Sequence, residues 1–426
     1  MLSNSKTGVV LALLFAASMW YYVARVLVPY QRSDALAHQR PRGNLSDLYP
    51  RWVGARDLLL YHRNPYSPEV TREIQLGYYG RELDPRRAGD PKDQQAFAYP
   101  AYVAFLLAPT VGLPFDGVMI GYECVLVLLT LGSVWLWLRA IGWRPKRATT
   151  ALLVILTLGS FPAVQGFKLQ QLSLLVAALI AGSAALLVGK HFFAAGAVLA
   201  VATIKPQLVL PVLLCLLLWA ASDRKRRQSL FWGFSLGMAV LASGAEIVLP
   251  GWIGDFLTAT RDYQRYTGGR SLLDTLLSPA LGRVAALAAL LLLLALAWRL
   301  RRAEVGSREF SLLLATALAV TLIVIPMFAP YNQLLLLPAV LLIAREWPEL
   351  WNKGALSKAV CMLTVAIVGW PWLAALGLTL ANMAIPAPSV QRGWAIPLYT
   401  SLAIPLVLIV HLASLLTRAA RDQIAR

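Results

Sequence analysis

Charged residues are scarce in this 426-residue chain, where Asp, Glu, Lys and Arg together make up 14% of the sequence. Soluble domains carry about 25% charged residues, so this shortage argues against a soluble globular protein. Hydrophobic residues make up 58% of the chain. Many of the apolar runs approach the roughly 20 residues that cross the hydrocarbon core of a bilayer. The composition therefore predicts an all-α polytopic membrane protein.

Cysteine and histidine are also rare, and their positions do not suggest the sites that these residues usually build. All three cysteines, Cys124, Cys215 and Cys361, lie inside apolar runs, which argues against a disulfide framework. The four histidines are scattered and show no paired spacing. Asp90 and Asp93 are separated by two residues, so they do not form an Asp-X-Asp pair. The sequence therefore predicts no metal site.

Acidic residues are fewer than basic ones, which gives the chain a formal net charge of +18. Such an excess can indicate a nucleic-acid partner, but here the basic residues cluster between apolar runs instead of forming one stripe. Clusters of this kind mark the cytoplasmic turns of membrane proteins, and no nucleic-acid partner is expected. The clusters are Arg139 with Arg144, Lys146 and Arg147; Lys190; Arg224 to Arg227; Arg299, Arg301, Arg302 and Arg308; Lys353 and Lys358; and Arg418, Arg421 and Arg426.

Placing all of these clusters inside predicts about twelve spans with both termini in the cytoplasm. The first run has no convincing cleavage site, so we expect a retained anchor helix and not a signal peptide. No internal repeat or linker interrupts the chain, which predicts a single membrane domain over residues 1–426. The predicted spans are 8–28, 117–141, 149–166, 170–188, 192–206, 207–221, 229–249, 280–299, 310–328, 331–344, 359–379 and 397–417.

This topology leaves two long loops outside the membrane, at residues 29–116 and 250–279. The rule that basic residues stay in the cytoplasm holds for short loops and not for loops of this length. The arginines of the first loop therefore do not contradict its position outside the membrane. Its apolar part, residues 99–114, is too short and too interrupted by proline to span, which predicts an interfacial or re-entrant helix.

Three pairs of unusually short spans meet at polar tips on the same outer side as the polar stretch 44–69. Non-helical backbone at membrane depth is tolerated only where it lines a cavity or is buried in protein. We therefore expect these four polar elements to converge on one outward-facing cavity. The tip residues are Lys168, Gln170 and Gln171; Lys205, Pro206 and Gln207; and Pro330, Tyr331, Asn332 and Gln333.

The stretch 44–69 carries two aspartates, Asp47 and Asp57, ten residues apart. On a helix this separation is about 15 Å of rise, so the two carboxylates cannot act on one reacting atom. Asp57 stands among arginines and is expected to be a solvated ion-pair partner. Asp47 fits either a functional acid or a capping acid that forms a surface ion pair with Arg51, four residues further on.

The same stretch predicts an amphipathic helix. Ser46 can cap its start and would place Asp47 in the first turn, where the helix dipole favours a carboxylate. An apolar stripe at helical spacing predicts that the helix lies on the membrane surface. The stripe consists of Leu48, Trp52, Ala55 and Leu59.

The segment DLYPRWVGARDLLLYHRNPYSPE resembles the first-loop signature of glycosyltransferase family 87, which has an aspartate, an amphipathic helix and Asn-Pro-Tyr. Three further segments resemble that family in the same order: AFAYPAYVAFLLAP, QGFKLQQLSLLVAALIAGSAALL and AVATIKPQLVLPVLL. The resemblance extends from the N-terminus to about residue 220, and more thinly to YNQLLLLPAVLL. The matching positions are Asp47, Tyr49, Ala55, Asn64, Pro65, Tyr66, Tyr99, Pro100, Lys205 and Pro206.

The resemblance implies a GT-C-like helical bundle and an inverting transfer of a sugar, often mannose, from a polyprenyl-phosphate carrier to a glycolipid or glycan hydroxyl. It implies that Asp47 is the general base. Lys205 is the first candidate for the donor phosphate, with Lys168 and Arg270 next; snorkelling to the interface is the alternative for Lys205. No cofactor or metal is expected, and the site is expected to face outside, in a bacterial plasma membrane.

Other polar side chains are candidates for the substrate-lining surface. For the tip at residues 331–333, a role that only stabilises the turn is an equal alternative. Trp252, Tyr263 and Tyr266 fit either sugar stacking or an interfacial aromatic belt. The candidates are Tyr49, Asn64, Tyr66, Tyr99, Gln170, Gln171, Gln207, Tyr331, Asn332 and Gln333.

A multi-pass transporter or lipid flippase is the alternative function, because broken helices and an intramembrane lysine are also transporter features. Transporter sites come from corresponding broken segments of two repeats, and no repeat is evident here. The large external loop directly after the first span also favours an enzyme that acts on a lipid-linked substrate.

Overall fold

The computed structural model describes residues 5–40, 46–84 and 86–424. Within these ranges the chain forms α-helices and short turns of other helix types but no strand, which confirms the predicted all-α class. Residues 44 and 45 of the polar stretch, and Arg426 of the last basic cluster, lie outside the described residues.

The first part of the chain contains one long helix followed by shorter ones. A π-helical turn at Val23–Leu27 joins α1 to α2, and a 3-10 turn at Ala108–Thr110 extends α5. The α5 segment is five residues long, so the apolar stretch 99–114 does not span, as predicted. The helices are α1 Ser5–Tyr22, α2 Val28–Ala37, α3 Tyr49–Tyr61, α4 Pro68–Tyr79 and α5 Val103–Leu107.

The middle of the chain alternates long apolar helices with short ones. The short helices meet at the polar tips that the sequence indicates. These helices are α6 Phe115–Ile141, α7 Arg147–Leu158, α8 Phe161–Lys168, α9 Leu172–Val188, α10 Phe192–Ala202, α11 Pro206–Ala221 and α12 Arg224–Val248.

The last part of the chain begins with a helix outside the predicted spans and ends with long apolar ones. Two 3-10 segments, Pro330–Leu336 and Ile396–Leu398, interrupt it. Its helices are α13 Trp252–Thr267, α14 Leu272–Leu276, α15 Pro279–Arg299, α16 Arg308–Val324, α17 Leu337–Arg345, α18 Trp347–Trp351, α19 Ala355–Ala384, α20 Ala387–Gln391 and α21 Ala403–Ile424.

Among the described residues, six helical segments are long and apolar enough to cross a membrane, or seven if the bent pair α7–α8 forms one span. This confirms a polytopic membrane protein, whereas the count of about twelve spans stays a prediction. Several predicted spans correspond to helices of only 11 to 17 residues, namely α9, α10 and α11. The six segments are Lys6–Ala37, Phe115–Ile141, Arg224–Val248, Pro279–Arg299, Ala355–Ala384 and Ala387–Arg418.

The short helices α9, α10 and α11 pack against other helices of the bundle, although Phe193 of α10 and Leu210 and Leu214 of α11 are exposed. Most of α9 is buried, and α10 packs closely on α12 through Gly196 and Gly233. A Cβ at either glycine would overlap the backbone of the other helix. Small residues allow this backbone approach, which gives dispersion contacts that lipid chains cannot replace. The buried helix ends are therefore free to carry polar breaks.

The start of α3 differs from the prediction. The helix begins at Tyr49, and Asp47 lies before it, not in its first turn. Ser46 does not cap the helix; its Oγ accepts from the backbone N–H of Leu48 at 3.2 Å and donates to the carbonyl of Leu169 at 3.3 Å. The prediction was wrong here because the backbone of Asp47 binds the carbonyl of Leu169, and the helix begins only after this contact, three residues beyond Ser46.

The apolar stripe of α3 faces protein and not the membrane surface. Leu48 and Ala55 are fully buried and Trp52 is 4% exposed, in contact with α5 and the residues around it. Gly54 lies directly against the ring of Phe97. An apolar stripe requires an apolar neighbour but does not indicate whether that neighbour is lipid or protein, which explains the wrong prediction.

Asp57 is fully buried, which corrects the prediction of a solvated charge. The predicted ion pair is present: Arg63 donates to Asp57, and Arg63 also pairs with Glu73 at 2.6 Å. Arg56 binds the other oxygen of Glu73 at 2.5 Å. Burial raises the pKa of Asp57 by more than the arginines lower it. This network holds α3 against α4 within the first loop.

Candidate functional site

A cavity of about 370 Å³ opens where the four predicted polar elements meet. The structure therefore brings together segments that are far apart in sequence, as expected from their positions at helix breaks. Seven of the predicted site residues line it: Asp47, Tyr99, Gln171, Lys205, Gln207, Tyr331 and Asn332.

Asp47 is held at the edge of this cavity by backbone and side-chain hydrogen bonds. Its backbone N–H donates to the carbonyl of Leu169 at 3.0 Å, which ties it to the tip between α8 and α9. The side-chain amide of Gln171 donates to Oδ2, and the hydroxyl of Tyr78 donates to Oδ1 at 3.4 Å. No ion pair among the described residues includes Asp47, so the surface pair with Arg51 is absent.

The tip between α8 and α9 directs Gln171 into the cavity. Gln170 adopts a left-handed conformation with φ of 47°, which reverses the chain. The backbone N–H of Gln171 then donates to the carbonyl of Gly166 at 2.9 Å. Gln170 itself is buried away from the cavity, with its amide donating to the carbonyl of Phe167 at 2.7 Å. One of the two adjacent glutamines is thus available to the site.

Lys205 lies at the break between α10 and α11. Its ammonium donates to Oε1 of Gln171 at 3.0 Å and to the hydroxyl of Ser173 at 2.7 Å. The residue is only 7% exposed, and the rings of Tyr99 and Tyr331 lie 5.7 and 5.6 Å from Nζ. Such rings attract a cation. Lys205 therefore points into the protein, and the snorkelling alternative is wrong.

The hydrogen bonds around Lys205 extend to the third polar tip. Ser173 donates to the side-chain oxygen of Asn332 at 2.7 Å. A continuous chain of side chains thus leads from Asn332 through Ser173, Lys205 and Gln171 to Asp47. It connects all three polar tips to Asp47, which belongs to the fourth polar element.

Arg51 also lines the cavity, although the sequence indicated only an ion-pair role for it. Its guanidinium lies 4.5 Å from the ring centre of Tyr99. Burial alone would raise the pKa of Tyr99, but Lys205 and Arg51 together hold it below its usual value. The position of Arg51 one turn after Asp47 was the available signal for its presence at the site.

Asp93 is a second carboxylate on the cavity wall. Burial raises its pKa, although the backbone N–H of Gln95, at 2.9 Å, and the charge of Arg51 partly oppose this. Asp90, in contrast, faces Arg81, which lowers the pKa of Asp90 to about 2. The spacing of Asp90 and Asp93 suggested only a test for an Asp-X-Asp metal motif, so Asp93 was not predicted as a site residue. In the described part of the chain, no group of three His, Cys, Asp or Glu side chains could hold a metal ion.

The helix α13 forms part of the cavity wall. Five of its residues face the cavity at helical spacing and offer two aromatic rings, an amide and hydroxyl groups. Trp252 is instead buried against Tyr102, and Tyr266 lines a neighbouring cavity, so only one of the three aromatic candidates of this loop lies here. The five residues are Phe256, Thr260, Tyr263, Gln264 and Thr267.

The other two cationic candidates do not line the cavity. Lys168 donates to Oε1 of Gln31 at 3.0 Å, which turns its side chain towards α2. Arg270 is exposed beyond the end of α13, and its backbone carbonyl accepts from the N–H of Met327 at 2.9 Å. Of the three predicted phosphate-binding cations, only Lys205 is at the site.

The remaining candidates support the site from outside it. Asn64 donates to Asp255 at 2.8 Å and thereby ties the first loop to the start of α13. Tyr66 donates to the carbonyl of Tyr99 at 2.6 Å. Tyr49 packs against Phe115, and Gln333 donates to the carbonyl of Ser401 at 2.6 Å. These side chains hold the loop and tips in place without lining the cavity.

The fold and the site define an all-helical membrane protein with two carboxylates and two cations around one cavity. The sequence model of glycosyltransferase family 87 matches residues 97–330, which is more than half of the chain. The chain belongs to glycosyltransferase family 87 and is a membrane glycosyltransferase. The matched region includes Lys205 and α13 but begins after Asp47. No curated protein and no solved structure matches the chain.

Proposed function

We propose that this membrane glycosyltransferase transfers a hexose, namely mannose, from a polyprenyl-phosphate carrier to a hydroxyl group of a glycolipid or glycan, with inversion. The observation that carries the proposal is a half-buried carboxylate, Asp47, that faces the same cavity as Arg51 and Lys205. A general base and positive charge for a phosphate leaving group are what this reaction requires.

In the proposed reaction, Asp47 takes the proton of the acceptor hydroxyl as its oxygen attacks the anomeric carbon. The bond between that carbon and the phosphate oxygen breaks, and its electron pair stays on the phosphate. Attack and departure occur on opposite faces of the sugar, which inverts the anomeric configuration. A positioned base typically contributes about 10²–10⁴-fold to such a rate. The phosphate is already a good leaving group, so cations suffice and a strong acid is not required.

The hydrogen bonds of Asp47 suit a base. Its oxygens accept from two neutral groups, Gln171 and Tyr78, and not from a cation. Neutral donors orient the carboxylate and leave it without a direct ion pair in the described part of the chain. Lys205 lies one side chain further away, where its charge acts on the cavity as a whole.

The cavity suits a sugar that is attached to a lipid. Its volume of about 370 Å³ lies within the range of about 300–1,000 Å³ that is usual for small-molecule sites. Polar groups of α13 and the tips surround the space for the sugar and the phosphate. Ile204, Leu208 and Ile325 add an apolar part to the wall, which fits the first isoprene units of a carrier. We propose that the cavity opens on the outer face of a plasma or inner membrane, opposite the basic turns.

The test is sugar transfer by purified protein in lipid nanodiscs, with a polyprenyl-phosphate mannose donor and a lipid extract as the source of acceptors. Mass spectrometry of the lipid-linked products identifies the acceptor. Asp47→Asn should lower the rate by about 10²–10⁴-fold, since it removes the base. Asp262→Asn, an exposed aspartate on the adjacent α13, is the matched control and should retain activity. Retained activity in Asp47→Asn would remove this residue from the mechanism. No transfer by the wild-type protein from any polyprenyl-phosphate sugar would contradict the donor class.

A further inference from the structure

We infer that Arg51 binds the phosphate of the donor, and that Lys205 is a positioning residue that orients Asp47 through Gln171. The inference rests on the proposed function, because it assumes a phosphate-linked donor. It changes the assignment expected from the sequence, in which Lys205 was the first candidate for the phosphate.

Two cations line the cavity in the described part of the chain, Arg51 and Lys205. Lys168 and Arg270 are directed elsewhere. The assignment of the phosphate contact therefore depends on which of the two lining cations has hydrogen-bond donors available for a ligand.

Most of the donors of Lys205 are in use within the protein. An ammonium group has three N–H donors, and two of them are accepted by Gln171 and Ser173 at 3.0 and 2.7 Å. Nζ also lies close to two tyrosine rings, and the residue is almost fully buried. One N–H donor is left, so Lys205 can meet more than one phosphate oxygen only by leaving Ser173 or Gln171. If it left Gln171, the amide would lose the contact that directs it towards Asp47.

Arg51 has its donors available. It lies over the ring of Tyr99 at 4.5 Å, and its Nε is buried without a hydrogen-bond partner. No ion pair of the described residues includes it. A planar guanidinium presents N–H groups in a fork that matches two phosphate oxygens. Its contact with the ring of Tyr99 helps to hold the side chain in place without using an N–H donor.

The spacing of Arg51 and Asp47 also suits the reaction. The base must reach the attacking oxygen, whereas the phosphate leaves from the opposite face of the sugar. Asp47 lies two residues before α3 and Arg51 lies in its first turn, so only four positions of the chain separate the two side chains. One short segment of the first loop can thus contact both sides of the reacting carbon. As the bond to the sugar breaks, negative charge grows on the phosphate, and its hydrogen bonds to Arg51 strengthen.

The first experiment measures binding of a short-chain prenyl monophosphate and of the matching prenyl alcohol to the full-length protein in nanodiscs. Wild-type protein should prefer the phosphate. Arg51→Gln should weaken phosphate binding by about tenfold or more, and Arg51→Lys should restore part of it, because a charge returns without the fork. Arg261→Gln, an exposed arginine of α13, is the control and should bind as wild type does.

The second experiment separates binding from positioning. Lys205→Met should keep phosphate binding within about threefold of wild type, while kcat falls by about 100-fold and KM for the donor changes little, because only the base is misplaced. Gln171→Leu should have the same effect. The double variant should be no worse than either single variant, since both act through one chain of contacts. Size-exclusion chromatography and the midpoint of thermal unfolding check that each variant is folded.

Three results would overturn the inference. Unchanged phosphate binding in Arg51→Gln, together with lost binding in Lys205→Met, would return the phosphate to Lys205 and leave the proposed function intact. Additive losses in the double variant would show that Lys205 and Gln171 act separately. Equal binding of prenyl alcohol and prenyl phosphate by the wild-type protein would instead contradict the proposed donor class, and with it the role of Arg51.

Discussion

Gln171 joins Lys205 to Asp47, with its amide oxygen accepting from the lysine at 3.0 Å and its amide nitrogen donating to the carboxylate. This orientation follows from the partners. An ammonium can only donate and a carboxylate can only accept, so the oxygen must face Lys205 and the NH₂ group must face Asp47. The lysine therefore selects the rotamer that holds the aspartate, although it does not contact the carboxylate.

The first prediction concerns this amide. Gln171→Glu should place a second carboxylate beside Asp47, because the new side chain has nearly the same shape as glutamine. Two adjacent carboxylates resist simultaneous ionisation, and Lys205 contacts only the far oxygen of the side chain at position 171, so the pair should hold a shared proton. The rising limb of the pH–rate profile should move to higher pH. Steady-state transfer rates over a range of pH test this. A simple loss of rate with an unmoved profile would contradict the hydrogen bond to Asp47.

The second prediction concerns Asp93. Because burial raises the pKa of Asp93, the folded protein binds this proton more tightly than the unfolded chain does. Its contribution to stability is therefore fully present below the ordinary Asp pKa of about 4 and is lost as the pH rises through the folded-state value. Asp93→Asn should raise the midpoint of thermal unfolding near neutral pH, and the gain should shrink as the pH falls towards about 4.

Asp90→Asn provides a control of opposite sign. Arg81 lowers the pKa of Asp90 to about 2, so the ionised form of Asp90 stabilises the folded state above the ordinary Asp pKa. The substitution should lower the unfolding midpoint at neutral pH, and the loss should vanish as the pH falls towards about 2. Equal and pH-independent shifts in the two variants would contradict the environments described for them.

The convergence of the polar tips could be predicted from the sequence, whereas the proposed role of Arg51 could not. Polar breaks in a membrane bundle must face a cavity or other protein. The tips around Lys168–Gln171, Lys205 and Tyr331 were therefore expected to meet at one cavity. The i, i+4 spacing of Asp47 and Arg51 suggested an ion pair only under the assumption that both lie in one helix. Asp47 precedes the helix because the tip at Leu169 binds its backbone, and a contact across 122 residues has no local signal in the sequence.

The number of spans and the surroundings of α3 were hard to predict for a related reason. Hydropathy measures the polarity of a segment but not whether lipid or protein surrounds it. The helices α9, α10 and α11 are apolar, yet α9 is mostly covered by other helices, and α10 and α11 each pack one face against them. The stripe of α3 likewise meets α5 and not the membrane surface.

The third prediction concerns Asp57, the aspartate that was predicted from the sequence to be solvated but is buried. Asp57→Ala removes the buried acceptor of Arg63 and should lower the free energy of unfolding by about 1–3 kcal/mol. Asp57→Asn keeps an acceptor of similar size and should have a smaller effect. In both variants the folded fraction should retain the KM of the wild-type protein, because Asp57 does not line the cavity. Urea titration combined with activity per folded molecule tests this, and an altered KM would contradict a purely structural role.

The fourth prediction concerns recognition of the sugar by α13. Tyr263 and Gln264 line the cavity from adjacent positions of α13, together with Asp47 and the polar tips. An aromatic face next to an amide suits a hexose, because its ring carbons pack on the aromatic face while its hydroxyls bond to the amide. Tyr263→Ala should raise KM for the lipid-linked sugar by about tenfold, which corresponds to about 1.4 kcal/mol. Binding of prenyl phosphate without the sugar should be unchanged. Tyr263→Phe keeps the ring and is the matched control, expected to be close to wild type. Equal losses for the sugar-bearing and sugar-free lipids in Tyr263→Ala would show that α13 contacts the carrier and not the sugar.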